Sequence, residues 1–420
     1  MPSILLVAAA FAPSKQIGGR RAERMAVYLA QHGWQVTVLA MHASYMPPED
    51  PSLRFAAAGV EVLRTHALTP RRFLRAGVAA IHGPTRPVPN QPAGPTVALQ
   101  QRSWARRQVA WLLDRFDFPD EVAGWRPFAK AAVRGRRFDV VLGSLPPISS
   151  GPLAAELARL THARLVLDYR DPWTEIRALW DTPRDLDRHR RLEDACLAQA
   201  ALVIAVTPTL CQWLQERSGR PVALVTNGFD APVFQQFAPP VPPARLVYAG
   251  SLAYGRDLQP LLRAMALLRR DAQPLPLQLV YAGTDGAGLL AQARELGVAD
   301  AVIDLGEKTS AEALALLDGA LAGVVVVSPD FQYAYPGKVF EILGRARPLL
   351  VLAPQGCDTA ELTIRHALGW THPPEDVEGL ADSLRHALAG ELPVPRDLEV
   401  LSAPRVMARL TDLLEDLVRR

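Results

Sequence analysis

Short apolar runs alternate with stretches of helical period along most of this chain, and few folds accept such a pattern. SILLVAAAF near the start is followed by Ala22, Met25, Ala26 and Leu29 at i, i+3, i+4 and i+7, and then by WQVTVLA (34–40). Buried parallel strands read as continuous apolar runs, while the middle segment has amphipathic-helix spacing, so the first 40 residues predict a βαβ unit. FDVVLG (138–143), RLVLDY (164–169), ALVIAV (201–206) and VALV (222–225) extend the strand series, with helices over 151–162, about 184–200 and from about 208. A second series opens at ARLVYAG (244–250). Its further strands lie near 277–282, 301–305, 322–327 and 348–353, with helices near 257–270, 286–296, 310–319 and 337–346. Alternation of this kind predicts an α/β protein with parallel sheets.

Between the two series lies APVFQQFAPPVPP, in which five of 13 residues are proline. Proline clusters resist helix and sheet, so the expected plan is a domain over 1–230, a linker over 231–243 and a domain over 244–395. Residues 396–420 then form a C-terminal helix. With 420 residues and 49% apolar side chains, two cores are affordable. The formal net charge of +3 is too balanced for a dedicated nucleic-acid binder, and three cysteines without close pairing exclude a disulfide framework. The opening apolar run lacks the basic flank of a secretory segment, and no run approaches the ~18–20 residues needed to span a bilayer. These features predict a cytoplasmic location.

One region breaks the alternation. From Arg71 to Arg137 there are 13 basic residues against four acidic ones, interleaved with Trp104, Trp111, Phe116, Phe118 and Trp125. Such a segment suits either an anionic membrane surface, giving peripheral attachment, or a helical insertion with inward tryptophans and solvated arginines.

No P-loop, Gly-x-Ser-x-Gly elbow, His-Glu-x-x-His or Cys-x-x-Cys occurs, and the nine histidines lack metal-ligand spacing, so no metal or cofactor is expected. The loop FAPSKQIGGR after the first strand ends in Gly18 and Gly19. These would let backbone N–H groups approach an anion, with Arg20 and Arg21 adding charge, unless the pair merely makes a turn. Only four of the 46 basic side chains are lysines, and Lys338 stands in Tyr335-Pro-Gly337-Lys-Val-Phe-Glu341. Proline and glycine suit a helix start, which places Lys338 and Glu341 on one face. The pair fits either a diphosphate and ribose or an ordinary surface ion pair.

Taken in order, several motifs resemble the bacterial family-4 glycosyltransferases of GT-B fold. They are Gly18-Gly19-x-Arg21 with LAQHGWQVTVLA, FPDEVAGW (118–125), SLPPISSGPLAAELA (144–158), LDYRDPW (167–173), TNGFD (226–230), YAGSLAYGRD (248–257) and PGKVFEIL (336–343). The resemblance covers nearly the whole chain outside about 66–112, and the RDPW and PGK motifs point to one subgroup. It implies two Rossmann-like domains facing across a cleft, with the last helix returning to the first domain. It also implies a nucleoside-diphosphate-sugar donor bound through Gly250, Arg256, Tyr335, Gly337, Lys338 and Glu341. Glu307 and Lys308 would lie at the base, with Arg170, Asp168 and Asp171 near the reacting sugar. Many relatives carry a glutamate where this chain has Tyr333, and a histidine where it has Arg170.

The expectation is a metal-independent, retaining transfer to a glycan or lipid-linked acceptor. An aspartate before proline also caps or turns a chain, so a structural role for Asp171 stays open. Two further readings are a GT-B-fold nucleotide-sugar epimerase and a non-catalytic nucleotide-sugar-binding partner of another transferase.

Overall fold

The computed structural model describes residues 1–14, 17–46, 55, 57–69, 117–175, 183–271 and 274–419. They divide into two compact units, Met1–Val225 with Met407–Arg420, and Thr226–Val406.

The first unit is built on a parallel sheet of β1 (Ser3–Val7), β2 (Gln35–Met41), β3 (Val60–Thr65), β4 (Val140–Leu145), β5 (Arg164–Tyr169), β6 (Leu202–Ala205) and β7 (Ala223–Leu224). Its order is β3-β2-β1-β4-β5-β6-β7, so the order reverses between β1 and β4. The helices are α1 (Ile17–Gln31), α2 (Arg126–Ala132), α3 (Ser150–Thr161), α4 (Pro183–Gln199) and α5 (Pro208–Ser218). Local chemistry sets their ends. In α5, Pro208 stands in the first turn, the Thr207 hydroxyl accepts from the Leu210 N–H, and Gly219 closes the helix at φ 65°. Strands β4 and β5 are buried almost throughout, which is why both read as apolar runs.

The second unit repeats the plan. Strands β8 (Ala244–Ala249), β9 (Leu277–Ala282), β10 (Val302–Asp304), β11 (Ala322–Val326), β12 (Leu349–Leu352) and β13 (Gly369–His372) pair in parallel in the order β10-β9-β8-β11-β12-β13. Helices α6 (Gln259–Asp271), α7 (Gly286–Glu295), α8 (Ser310–Ala315), α9 (Gly337–Leu343), α10 (Asp358–Arg365) and α11 (Val377–Leu388) cover it. Alternate residues of β8 feed two cores: Leu246 and Tyr248 join one, while Val247 joins the other. The last helix, α12 (Ala403–Arg419), starts in the second unit and belongs to the first from Met407 onward.

The proline-rich segment groups with the second unit. Phe237 is buried there, and the Arg347 guanidinium accepts nothing but donates to the carbonyls of Ala238, at 2.8 Å, and Pro239, at 3.0 Å.

Residues 70–116, which hold most of the basic aromatic region, lie outside the described residues. In the described part, Trp125 is buried and donates from its indole nitrogen to Thr65 Oγ1 at 2.6 Å. Arg126 and Lys130 pair with Glu156, and Arg136 pairs with Glu61. No helix among the described residues is long and apolar enough to cross a membrane.

Candidate active site

In an open parallel sheet, ligands bind beyond the carboxyl ends of the strands, where the strand order reverses. Each unit has one such point, at β1/β4 and at β8/β11.

At the first, the structure sets Gly18, Gly19 and Arg20 in the first turn of α1 and Arg21 just after it, at the helix start where the sequence places the glycine pair. A β-carbon at residue 18 would overlap the Arg170 guanidinium, so glycine there permits the approach of that side chain. Arg170 also donates to the Pro146 carbonyl in the turn after β4, while its Nε is buried without a hydrogen-bond partner among the described residues. It thereby links the start of α1 to the turn after β4 at the switch point.

Arg21 and Asp168 are occupied with each other. The Arg21 Nε donates to both carboxylate oxygens at 3.2 and 3.0 Å, and Nη2 donates to Oδ1 at 2.8 Å. Nη2 also reaches the Val225 carbonyl at 2.8 Å, and Ser144 Oγ donates to the same carboxylate at 2.9 Å. With exposures of 3% and 0%, the pair ties α1, β4, β5 and the end of the β7 segment together. Its geometry is that of a brace beneath the site. Ser144 lies directly across from Asp168 in the β4–β5 register, a relation that spacing along the chain does not reveal.

Asp171, one residue past Arg170, is exposed. Although the residue as a whole reaches solvent, protein packed around its carboxyl weakens hydration of the charged form and raises it to about 6, against the opposing pull of Arg170. The turn it sits on is fastened from behind: Thr174 Oγ1 donates to Glu193 Oε2 at 2.5 Å, and Arg217 Nε lies 3.4 Å from the same oxygen. The Glu193 side chain is fully buried, and burial, then the neighbouring Glu175 charge, pushes its carboxyl up to about 8.

At the second switch point, the loop after β8 and the start of α9 bring distant residues together. Gly250 has φ 134°, and a β-carbon there would come within 3.3 Å of Lys338 Nζ, so glycine serves both the backbone and the neighbour. Lys338 Nζ sits 3.9 Å from the centroid of the Tyr248 ring, an arrangement in which the ring face attracts the cation. Burial and then the repulsion of Arg256 depress the ammonium to about 7, while Glu341 pulls the other way. Lys338 and Glu341 line one small hollow with Ala249 and Ile342. Tyr335 packs edge-on against Phe340, with ring centroids 6.3 Å apart, next to Gly337 at the helix start.

Glu307 and Lys308 follow β10 at the same end of the sheet. Glu307 is exposed and Lys308 half-buried, and Gly306 turns the chain at φ 64°. A capping box between Thr309 and Glu312 fixes the turn that carries them.

The second site thus assembles a lysine, an arginine and a glutamate around an open glycine turn. An arginine and a lysine whose ammonium is depressed to about 7, beside a carboxylate, can hold a phosphate and a hydroxyl-bearing group together. The sequence reading missed Tyr248. The alternation in LVYAG signals that Val247 and Tyr248 face opposite ways, but nothing local links Tyr248 to a lysine 90 residues on.

Comparison with known proteins gives this geometry a context. A model described as a glycosyl transferase 4-like domain matches residues 18–228. Glycogen synthase of Mycobacterium tuberculosis (strain CDC 1551 / Oshkosh) is 30% identical over 169 residues, which are 40% of this chain and 40% of that protein. The chain thus spans less than half the length of this relative in the match. Sucrose-phosphate synthase from Thermosynechococcus elongatus superposes with a TM-score of 0.65 at 16% identity, covering 99% of both chains. Trehalose 6-phosphate synthase from Burkholderia multivorans gives 0.61 at 14% identity, covering 100% of this chain and 97% of that one. The Anabaena protein HepE, solved with UDP-glucose, gives 0.53 at 13% identity over 99% of both. These structural likenesses identify the fold as GT-B. The family model spans half the sequence and contains the Gly18–Arg21 turn, the Arg21–Asp168 brace and the Arg170–Asp171 turn, and the chain belongs to the glycosyl transferase 4-like family.

Proposed function

We propose that this family member transfers a sugar from a nucleoside-diphosphate sugar to a glycan or lipid-linked acceptor, without a metal and with retention at the anomeric carbon. The observation that carries the reading is the Lys338 ammonium, seated over Tyr248 and beside Gly250 at the β8/β11 switch point. In the reaction, the anomeric carbon–oxygen bond to the diphosphate breaks and a bond to an acceptor hydroxyl oxygen forms. The hydroxyl proton passes to a phosphate oxygen of the leaving group. Negative charge grows on the diphosphate as that bond lengthens, so fixed cations act most strongly in the transition state. Lys338 and Arg256 supply those charges, Glu341 accepts from the ribose hydroxyls, and the turn carrying Glu307 and Lys308 holds the base. In the first unit, Arg170 and Asp171 are assigned to the reacting sugar, with Arg21 and Asp168 as the brace beneath their turn.

The test incubates the purified protein with UDP-, GDP- and ADP-sugars and a panel of glycan and lipid-linked acceptors. Because solved neighbours hold UDP and UDP-glucose, uridine donors come first. Acceptor-dependent release of nucleoside diphosphate, undiminished by a chelator, is the expected result. Epimer formation without acceptor, or donor binding without turnover, overturns the transfer reading. Glu341→Ala is expected to weaken donor binding by about 1–3 kcal/mol through the lost hydroxyl contacts. Unchanged nucleotide affinity removes that role.

A further inference from the structure

The loop between β8 and α6 contains a residue held against its own backbone preference. Tyr254 has φ 63°, in the left-handed region that a bulky residue enters only at a cost, and Gly255 follows at φ 72°. A glycine at 254 would adopt this backbone freely. The tyrosine is therefore fixed by what its ring touches.

Two partners hold that ring. Phe331, in the short turn Pro329–Phe331 after β11, meets it edge-on with centroids 6.1 Å apart and planes at 70°. Behind Phe331 stands the buried Tyr333 ring, 6.1 Å away. The other partner is Arg256, whose Cζ lies 5.7 Å from the Tyr254 centroid, within cation–π range. Among the described residues, Arg256 makes no hydrogen bond or ion pair with the protein. A long side chain without such partners samples many rotamers, and each one lost on binding a ligand lowers affinity. Stacking on a braced ring removes part of that freedom beforehand.

We infer that Tyr254 is a positioning residue: its ring, braced by Phe331, pre-orders the otherwise unpaired Arg256 guanidinium beside Lys338 for the donor diphosphate. The inference rests on the proposed function for the identity of the anion. The backbone strain at 254 is the cost of keeping an aromatic side chain at the one place where it reaches both partners. The loop after β8 and the turn after β11 flank the switch point, so the brace crosses the mouth of the site.

Calorimetric titration of the 420-residue chain with UDP, ADP and GDP, read with the tightest of the three, tests this on four variants. Arg256→Ala is expected to weaken binding about tenfold or more. Tyr254→Gly is expected to leave the melting temperature unchanged or raised, since it relieves strain, yet to weaken binding about three- to tenfold. Tyr254→Phe keeps the ring and is expected to bind within about twofold of wild type. The double variant Tyr254→Gly/Arg256→Ala is expected to bind no worse than Arg256→Ala, because the tyrosine acts through the arginine. In turnover, the donor KM rises in Tyr254→Gly while the acceptor KM stays constant. Wild-type affinity in Tyr254→Gly, or additive losses in the double variant, overturns the inference while leaving the proposed function standing. Wild-type affinity in Arg256→Ala also overturns the inference, whereas the proposed function falls only on its own turnover test.

Discussion

Removing one half of the Arg21–Asp168 brace tests whether these residues hold the site up or belong to it. In Arg21→Ala, three donor contacts from the guanidinium to Asp168 vanish, which leaves the Ser144 hydroxyl at 2.9 Å as its side-chain donor among the described residues. The Val225 carbonyl also loses its donor. A carboxylate with 0% exposure cannot recover that loss from water. Breaking a buried pair in this way costs about 3–5 kcal/mol, against about 1 kcal/mol for an exposed pair. With a urea dependence of about 3 kcal/mol per molar, the midpoint moves down by about 1 M or more. Tryptophan fluorescence is a suitable probe, because among the described residues Trp34, Trp125, Trp173 and Trp213 belong to the first unit and Trp370 alone to the second. The partner variant Arg21→Met/Asp168→Leu is expected to recover most of the loss, since an apolar pair of similar volume removes both desolvated charges. A midpoint shift under about 0.3 M in Arg21→Ala, combined with lost nucleotide binding, would refute the reasoning. Arg21 would then be a ligand contact.

Two further predictions concern protons. Lys338 carries its charge below about 7, so affinity for a nucleoside diphosphate is expected to fall as pH rises from 6 to 8. Its native pKa lies below the unfolded value of 10.5, so the unfolded chain holds more protons between 7 and 10.5, and this group makes stability rise with pH there. Titrations at several pH values, repeated on Lys338→Met, check the first point; a pH slope that survives in the variant assigns it elsewhere. For Glu193 the sign reverses: the native carboxyl, at about 8, holds its proton while the unfolded one, near 4.5, has lost it. Its contribution therefore declines as pH rises from 4.5 to 8. Glu193→Gln is expected to be increasingly more stable than wild type over that interval, and parallel stability curves would contradict it.

Much of the scaffold was legible because both sheets are buried on two faces. β5 and β9 coincide with the runs RLVLDY and LQLVYA, where continuous apolar character leaves little choice of boundary. β3 went unread because VEVLRT is an edge strand, half-buried or exposed at every position, and so forms no apolar run. The segment from 354 to 395 was likewise silent: β13 is mostly half-buried, and α10 follows a cysteine cap, Cys357, rather than a Ser, Thr or Asp signal. At the sites, Lys338 and Gly250 were named from motifs, and the structure sets them side by side. The role of Asp168 was not readable in the same way. A carboxylate on the last turn of a strand looks alike in sequence whether it faces a ligand or a buried arginine 147 positions earlier. Tyr254 was hidden for a related reason, since a left-handed tyrosine has no sequence mark of its own.

The course of α12 constrains how the molecule can be dissected. A fragment ending at Val225 would lack Met407, Leu410 and Leu414, which are buried residues of the same compact unit. The cut would expose their counterparts and invite aggregation. Production of the amino-terminal lobe in isolation therefore calls for grafting 407–420 onto it through a short tether, or for supplying that peptide in trans. Conversely, splitting the gene before residue 226 should yield two pieces that recover full solubility only when coexpressed.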